Sequence, residues 1–313
     1  MRYATATYHR TQQLDESQLL AETRLCPWCG SQELRRLVCL QRDPEVHLQE
    51  CPQCHASSAS RMPTAAALAS YYGGYYSGEQ YEKSGHKVTL GNPRRMGRHL
   101  AQFAAKAGIR GRVRILDFGG GDGTAAAETA VEMLKSGGTD DVEITVVDYS
   151  RDQVAAPDRR ITLQAVQTLD DLPDGEHDLV IASAVIEHIP DAPSVLERVL
   201  SRVRPGGVLY IRTPQVKSFV LLAKALRFGW DFTFPAHVYD LGQAFWEQHF
   251  GSAALRERFA VLSSKPSLVE ASFTESPLRA GLSLLFKMPW YLLGGIWGFV
   301  GGWEIVLRRK NAK

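Results

Sequence analysis

Residues 113–123, VRILDFGGGDG, join an apolar strand to a glycine-rich turn and constrain the fold of this chain more than any other stretch. The apolar run at 113–118 predicts a buried strand. Glycines at 119–121 let the backbone bend tightly and approach a ligand closely. The alanine-rich residues after Thr124 predict a helix whose N-terminal amides face that ligand. A dinucleotide-binding fingerprint needs glycine at position 124, so Thr124 argues against that class of ligand.

Beyond residue 94, apolar patterns typical of strands and of helices alternate along the chain. This alternation predicts an α/β fold with a mostly parallel sheet. Right-handed crossovers then place the ligand crevice at the carboxyl ends of the strands. The predicted helices cover 96–107, 123–135 and 193–203, and the further strands cover 142–147, 161–164, 177–182, 208–211 and 304–307.

Asp148 comes directly after the second predicted strand, where a carboxylate can accept hydrogen bonds from both ribose hydroxyls of an adenosine ligand. Tyr149 beside it is expected to pack on the adenine ring. The alternative is that Asp148 caps a helix starting near Ser150, which is a common role of aspartate. The order of the features, with the glycines after the first strand and the acid after the second, favours the ligand interpretation.

Several ordered motifs resemble those of the class I S-adenosylmethionine-dependent methyltransferases. They are the D-x-G-G-G-x-G loop at 117–123, LDDLP at 169–173, ASAVIEHIPD at 182–191 and RPGGVLYI at 204–211. The resemblance covers residues 94–214. It implies a Rossmann-like sheet, methyltransferase activity and S-adenosylmethionine as the methyl donor.

The resemblance also implies which residues bind the cofactor. Asp117 is expected near the amino group of the methionine part, and the glycines border that part. One departure is Thr168, because many relatives have an aspartate there that contacts the adenine amino group. The cofactor-binding positions implied by the resemblance, together with the two at the second strand, are Asp117, Gly119, Gly120, Gly121, Asp148, Tyr149, Ala182 and Ser183.

The sulfonium carbon of such a donor is already electrophilic, so no nucleophile of the enzyme's own is expected. A hydroxyl acceptor must lose a proton, and histidine suits this task near neutral pH. His237, in FPAHVY at 234–239, is predicted to be this base, since related sugar and ubiquinone-type O-methyltransferases have a histidine in this region. The alternative is a histidine hydrogen-bonded into a loop. His188 is expected to hold a turn or, alternatively, to touch the acceptor or a metal.

A divalent ion at the acceptor end is a further alternative. The plant small-RNA 2′-O-methyltransferases use Glu-x-x-Glu-His and a distant histidine to hold a metal. In this chain Ala184 occupies the position of the first glutamate. Glu187, His188 and His237 remain as an incomplete set of ligands.

Two C-x-x-C motifs, Cys26–Cys29 and Cys51–Cys54, are separated by twenty-one residues. Each motif turns tightly enough for two thiolates to reach one metal, and together they complete a tetrahedral zinc site. Residues 21–60 are therefore predicted to form a structural zinc ribbon. Two such pairs without a surrounding βαβ pattern disfavour a thioredoxin-like redox role.

Charge and the N-terminal sequence limit the partners and the compartment. The formal net charge is only +2, and the ribbon mixes arginines with acidic residues, so a nucleic-acid partner is not expected. The first twenty residues contain no continuous apolar core, which argues against a secretory signal and favours the cytoplasm.

Residues 61–93 form a tyrosine-rich linker that is expected to pack between domains or to act as a lid, and residues 94–313 form the predicted methyltransferase domain. Residues 282–303 are mostly apolar, but Lys287, Pro289 and several glycines interrupt them, so a membrane span is disfavoured. A cover over the substrate cleft, a homodimer contact or a shallow contact with the inner face of the membrane are the interpretations left open.

The sequence as a whole predicts methyl transfer from S-adenosylmethionine to a hydroxyl, or to a carbon, of a small molecule, sugar or glycan-type acceptor. The alternative is an RNA-binding zinc-ribbon protein whose methyltransferase domain modifies nucleic acid or is inactive.

Overall fold

A computed structural model of the chain describes residues 3–4, 11–77, 92–149, 153–269 and 277–311. Within these ranges the larger sheet has seven strands in the order β12-β13-β9-β8-β5-β6-β7. The five strands from β7 to β9 are parallel, whereas β13 pairs antiparallel with β9 and β12 pairs antiparallel with β13. The strands are β5 (Gly111–Phe118), β6 (Thr139–Val147), β7 (Ile161–Val166), β8 (His177–Ser183), β9 (Val203–Gln215), β12 (Phe259–Pro266) and β13 (Gly301–Arg309). The α/β prediction is confirmed.

Helices cover both faces of this sheet, because successive side chains of a strand point to opposite sides. Ile115 of β5 packs in the core beneath the helices Pro93–Lys106 and Thr124–Ser136, whereas its neighbour Leu116 packs in the core on the opposite face of the sheet. Gly97 lets the two N-terminal helices cross closely, since a Cβ there would lie 2.6 Å from the carbonyl carbon of Glu128. The helices around the sheet are α2 (Pro93–Lys106), α3 (Thr124–Ser136), α4 (Ala192–Arg202), α5 (Lys217–Ala225), α6 (Gln243–Gly251) and α7 (Ala253–Arg258).

The cysteine-containing region forms a smaller antiparallel sheet that is joined to the larger domain. Its strands are β2 (Arg35–Arg42), β3 (Glu45–Glu50) and β4 (Ser57–Ala59). Strand β11 (Tyr239–Asp240) pairs with β4 as the fourth strand of this sheet in the described part of the chain. The amide of Ala59 also donates to the carbonyl of Val238 at 2.8 Å. The ribbon is thus connected through main-chain hydrogen bonds to a segment nearly 180 positions later.

The linker and the C-terminal apolar stretch supply the remaining helices. Helix α1 (Ala65–Ser77) follows the ribbon, and the rest of the tyrosine-rich linker up to residue 91, including Tyr81, lies outside the described residues. The apolar stretch forms α8 (Pro277–Lys287) and α9 (Trp290–Leu293) before β13 begins. In the described ranges, every helix is too short or too polar to cross a bilayer.

Three strands of the larger sheet differ most clearly from the sequence predictions. Strand β9 extends through the Pro-Gly-Gly turn, and its antiparallel neighbour β13 is longer than predicted. Strand β12 was not predicted at all. It lies at the edge of the sheet and leaves Val261 and Leu262 exposed, so its sequence lacks the continuous apolar character of the inner strands.

Candidate active site and metal centre

The glycine loop between β5 and α3 has almost no room for side chains. A Cβ on Gly119 would lie 2.4 Å from Val185 Cγ2, and one on Gly120 would lie 2.3 Å from the carboxyl carbon of Asp117. Gly121 has a φ of +59° and nothing within 4 Å of its Cβ position. The loop is therefore packed on two sides and open at Gly121, where a ligand can approach the backbone.

Asp117, the last but one residue of β5, is buried behind this loop with 2% of its surface exposed. Burial, reinforced by the nearby Asp148 carboxylate, raises the pKa of Asp117 to about 7. Its Oδ2 atom has no hydrogen-bond partner among the described residues. A buried acceptor without a donor is unfavourable, so the ammonium group of a ligand would complete this site.

Asp148 lies after the carboxyl end of β6 and contacts the same loop. Its Oδ2 accepts a hydrogen bond from the amide of Gly121 at 2.9 Å. The alternative role as a helix cap concerns Ser150, which lies outside the described residues. The predicted ribose-binding acid thus adjoins the open part of the loop.

Tyr149 and Tyr72 form a pair of aromatic rings beside Asp148. The Tyr149 ring, 83% exposed, is nearly parallel to that of Tyr72 on α1, with 6.2 Å between centroids and 15° between planes. Tyr72 also meets His188 edge-on at 6.4 Å. One linker tyrosine therefore lies between the predicted adenosine end and the histidines, as the lid interpretation of the tyrosine-rich linker suggested.

Ala182 and Ser183 end β8 next to the loop, and Ala182 is in register with Phe118 of β5. The Ser183 hydroxyl accepts a hydrogen bond from Arg212 Nε at 2.9 Å. The chain then turns at Ala184, whose φ is +56°, so that Val185 packs against Gly119. This turn carries the chain from the end of β8, past the glycine loop, into the 3₁₀ turn Ile186–His188.

His188 and His237 lie together at the end of that turn, with ring centroids 4.7 Å apart. His188 Nδ1 lies 2.8 Å from the carbonyl oxygen of Ala236, which can only accept, so Nδ1 carries the proton. His237 Nδ1 lies 2.7 Å from Thr233 Oγ1, and that hydroxyl donates its own proton to the Phe232 carbonyl. His237 Nδ1 is therefore also a donor. In the neutral form of both rings, Nε2 holds the basic lone pair.

Main-chain contacts bring the two histidines together across 49 positions. The amide of Val238 donates to the carbonyl of Glu187 at 2.9 Å, and the Tyr239 hydroxyl donates to the carbonyl of Pro190 at 2.7 Å. Strand β11 follows immediately and joins the ribbon sheet. The position of His237 thus depends on the turn at 186–190 and on the ribbon.

Glu187 is buried beside the two histidines, and one ligand atom from each of the three residues lies within 4.8 Å of the others. One carboxylate with two imidazoles is a donor set that suits a divalent transition metal. The structure therefore brings together the incomplete ligand set that the sequence suggested. The same arrangement also suits two histidines that accept protons without a metal.

The four cysteines Cys26, Cys29, Cys51 and Cys54 converge, with all sulfur atoms within 4.8 Å of one another. The sulfurs of Cys26 and Cys54, and those of Cys29 and Cys51, are 3.5 Å apart. Zinc–sulfur bonds of about 2.3 Å give a tetrahedron with edges of ~3.8 Å, so the set fits zinc.

The two knuckles have the same backbone geometry. In each, the carbonyl of the first cysteine accepts a hydrogen bond from the amide four positions later, at Gly30 and at His55, with a length of 2.9 Å. Both of these residues have positive φ values. His55 therefore belongs to the turn, consistent with a cluster that needs no histidine.

One protein family and several solved structures are similar to this chain. A family described as a methyltransferase domain matches residues 89–262, more than half of the chain. No curated protein matches this chain. The similar solved structures include phosphoethanolamine N-methyltransferase 2 of Haemonchus contortus, with 15% identity over 82% of this chain and 63% of that one and a TM-score of 0.46. Magnesium protoporphyrin IX methyltransferase of Synechocystis has 15% identity over 69% and 83%, with a TM-score of 0.42. A structure from the Haloferax volcanii complex of a methyltransferase with its Trm112 activator has 15% identity over 68% and 90%, with a TM-score of 0.43.

The family match covers the glycine loop, Asp117, Asp148 and both histidines, all placed at one edge of the sheet. The buried, unpartnered oxygen of Asp117 and the open backbone at Gly121 fit the methionine part of the cofactor. The chain belongs to the methyltransferase-domain family and is an S-adenosylmethionine-dependent methyltransferase.

Proposed function

We propose that this enzyme methylates a hydroxyl, or an acidic carbon, of a small-molecule, sugar or glycan-type acceptor bound beside His188 and His237. The observation that carries the proposal is the position of these two imidazoles. They follow the Ala184–Val185 turn that packs on the glycine loop, and both are oriented through Nδ1. Two basic nitrogens therefore lie next to the predicted methionine end of the cofactor site.

The residues divide the work of the reaction between binding, shielding and proton transfer. S-adenosylmethionine, when bound, supplies an electrophilic methyl group on its sulfonium. Asp117 holds the cofactor's amino group, and Asp148 binds its ribose while fixing the loop through Gly121. Tyr72 and Tyr149 cover the site and exclude water. His237 Nε2 accepts the acceptor's proton, with His188 orienting the acceptor.

A divalent cation on Glu187, His188 and His237 is the alternative for the same residues, and their grouping within 4.8 Å supports it. In that version the imidazole nitrogens would hold the ion, which would supply a positive charge that lowers the pKa of the acceptor hydroxyl. Both versions use the same acceptor site. In the first an imidazole takes up the proton of the acceptor, and in the second a metal ion would stabilise the negative charge of the deprotonated acceptor.

The RNA-binding alternative finds less support on the ribbon surface. Arg36 lies 2.7 Å from Glu22 and 3.7 Å from Glu45, so its charge is balanced locally. Lys217, where α5 meets the ribbon, pairs with Glu50. A phosphate backbone is bound by basic groups of one sign along a face, and these ion pairs interrupt such a face.

Replacing Asp148 by alanine tests the cofactor site. We expect the affinity for S-adenosylhomocysteine to fall by ~1–3 kcal/mol, because charged hydrogen bonds to the ribose are lost. Isothermal titration calorimetry measures the change. Asp148→Asn separates charge from loop support, since its amide oxygen can still accept from Gly121. Asp158→Ala is the matched control, because Asp158 pairs with Arg160 at the surface. An unchanged affinity in Asp148→Ala would show that the ribose lies elsewhere.

The raised pKa of Asp117 predicts a pH dependence of cofactor binding. With this pKa at about 7, the carboxyl is mostly neutral at pH 6 and mostly charged at pH 7.5. The charged form binds the cofactor's ammonium, so the affinity for S-adenosylhomocysteine should rise about eightfold between these pH values. Calorimetry across this range measures the slope. In Asp117→Asn the slope should vanish, and an equal slope in both proteins contradicts the assignment.

A further inference from the structure

Two neighbouring elements expose an unusual number of large apolar side chains. In the 277–297 segment, Leu292 is 89% exposed and Ile296 is 90% exposed. We define the apolar surface by the exposed residues of α5 and the turn after it and of the 277–297 segment: Leu221, Leu222, Leu226, Phe228, Leu278, Leu282, Leu285, Phe286, Met288, Tyr291, Leu292, Leu293 and Ile296. A contiguous patch of thirteen large apolar side chains on a protein surface usually marks an interaction site.

Aromatic contacts make this surface continuous. The ring of Phe219 on α5 lies 5.6 Å from that of Phe286 on α8 and 5.2 Å from that of Phe299. Trp297 Nε1 donates to the carbonyl of Phe286 at 2.7 Å and closes the segment onto its own helix. The two elements therefore present one surface.

The inner side of the 277–297 segment is anchored in the protein. Lys287 is buried and its ammonium donates to the carbonyl of Ser267. Trp290 Nε1 donates to Gln243 Oε1 at 2.8 Å, and its ring meets Trp303 of β13 edge-on at 5.2 Å. Because the inner side chains are fixed, the exposed ones cannot turn inward without breaking these contacts.

The charge of the surface selects its partner. Residues 217–230 and 277–303 contain no aspartate or glutamate, although these make up 34 of the 313 residues of the chain. Among their basic residues, Lys217 is paired with Glu50 and Lys287 is buried, which leaves Lys224 and Arg227 as the described basic groups exposed beside the apolar surface. Lys224 and Arg227 lie on the exposed side of α5 and the turn after it. A second copy would bring like charges together, whereas anionic lipid headgroups complement a basic rim around an apolar centre.

The same surface lies close to the predicted acceptor site. Phe219 stacks on Trp230 with 5.9 Å between centroids, and two residues later Phe232 meets His237 edge-on at 6.0 Å. Helix α5 begins just after the carboxyl end of β9, which is the edge of the sheet that holds the site. An amphiphile anchored in a bilayer beneath the apolar surface would have its polar part near His237.

We propose that the apolar surface docks on an anionic lipid bilayer and that the methyl acceptor is the polar head of a membrane-anchored amphiphile, a proposal that rests on the proposed function for its second half. The contact is monotopic: Leu285, Leu292 and Ile296 enter the interface, and Arg227 faces the headgroups. Docking places the acceptor group at His237 without removing its lipid anchor from the membrane.

Vesicle sedimentation with the full chain tests the docking. We expect binding to vesicles of phosphatidylcholine with 30% phosphatidylglycerol, and at least tenfold weaker partition onto phosphatidylcholine alone. Leu292→Glu with Ile296→Glu should reduce partition onto the anionic vesicles at least tenfold, and Arg227→Glu should reduce it severalfold. Leu20→Glu is the control, since Leu20 is also an exposed leucine, at 50%, but lies outside the apolar surface. Equal binding of control and test variants, or no binding of the unmodified protein, overturns the proposal.

Two further measurements separate the possible failures. A dimer in solution that Leu292→Glu dissociates, without vesicle binding, would assign the surface to a second copy and overturn the proposal. The acceptor class is tested with methyl-labelled donor and total bacterial lipid extract in vesicles. Label in the organic phase that requires Leu292 supports a lipid-anchored acceptor, and label confined to water-soluble products overturns it. Affinity for S-adenosylhomocysteine, measured on every variant, reports failure of the cofactor site independently.

Discussion

Replacement of Cys51 by serine is expected to release the zinc, unfold residues 21–60 and free the His237 segment, while the glycine loop stays folded. Zinc contributes about 10–16 kcal/mol of apparent folding free energy in small zinc domains, so the ribbon should not survive its loss. The effect should spread because β4 of the ribbon pairs with β11, which follows His237. Loss of a remote metal should therefore abolish methyl transfer.

Metal analysis and hydrogen exchange measure this prediction. The unmodified protein should contain one zinc per chain, and less than half an equivalent would contradict the ribbon. In Cys51→Ser, amide exchange should accelerate at 45–60 and 233–240 but remain slow at 113–118. Cys39→Ser is the control, since Cys39 is exposed on β2 and lies outside the four-sulfur cluster. Unchanged exchange at 233–240 in Cys51→Ser would show that the ribbon does not support the histidine.

Replacement of His237 by glutamine is expected to lower kcat by ~10²–10⁴-fold, the range typical for loss of a general base. The affinity for S-adenosylhomocysteine should stay within about twofold, because His237 lies beyond the predicted methionine end of the site. Thr233→Val removes the nearer acceptor for Nδ1–H and leaves the Phe232 carbonyl at 3.2 Å, so it should give a smaller loss through the orientation of the ring. Transfer of labelled methyl to an accepted substrate measures kcat.

Treatment of the unmodified enzyme with a chelator distinguishes a general base from a metal ligand. If activity of the unmodified enzyme disappears with a chelator that leaves the ribbon zinc in place, and returns with added divalent ion, Glu187, His188 and His237 are ligands. Activity that is insensitive to such treatment supports His237 as the base. A His237→Gln enzyme with full activity would contradict both roles.

The features predicted from the sequence are those whose chemistry is local in the chain. The glycine loop and the two C-x-x-C motifs are short, and each residue type is required by its immediate neighbours: Gly120 by the adjacent Asp117 side chain, and Gly30 by a knuckle with positive φ. The alternation of strands and helices is likewise a local pattern, and the α/β fold that it predicts is confirmed. The four cysteines of the two C-x-x-C motifs lie together, as the ribbon prediction requires.

The features that were not predicted depend on contacts between distant segments. Strand β11 is two residues long and carries no periodicity, and its pairing with β4 is visible only in three dimensions. The stacking of Tyr72 on Tyr149 is of the same kind. The sequence predicted roles for His188 and His237 separately. It did not predict the two hydrogen bonds that orient their rings, which join His188 Nδ1 to the Ala236 carbonyl and His237 Nδ1 to the Thr233 hydroxyl.

The pairing of β4 with β11 has a consequence for exchanging parts between enzymes. The ribbon and the His237 segment share one sheet, so each depends on the other for its structure. Most of the catalytic domain lies between them in the chain. A chimera that replaces only residues 21–60 would lose the edge on which β11 is built. Transfer of acceptor preference to another enzyme of this architecture therefore requires both segments together, grafted as a matched pair.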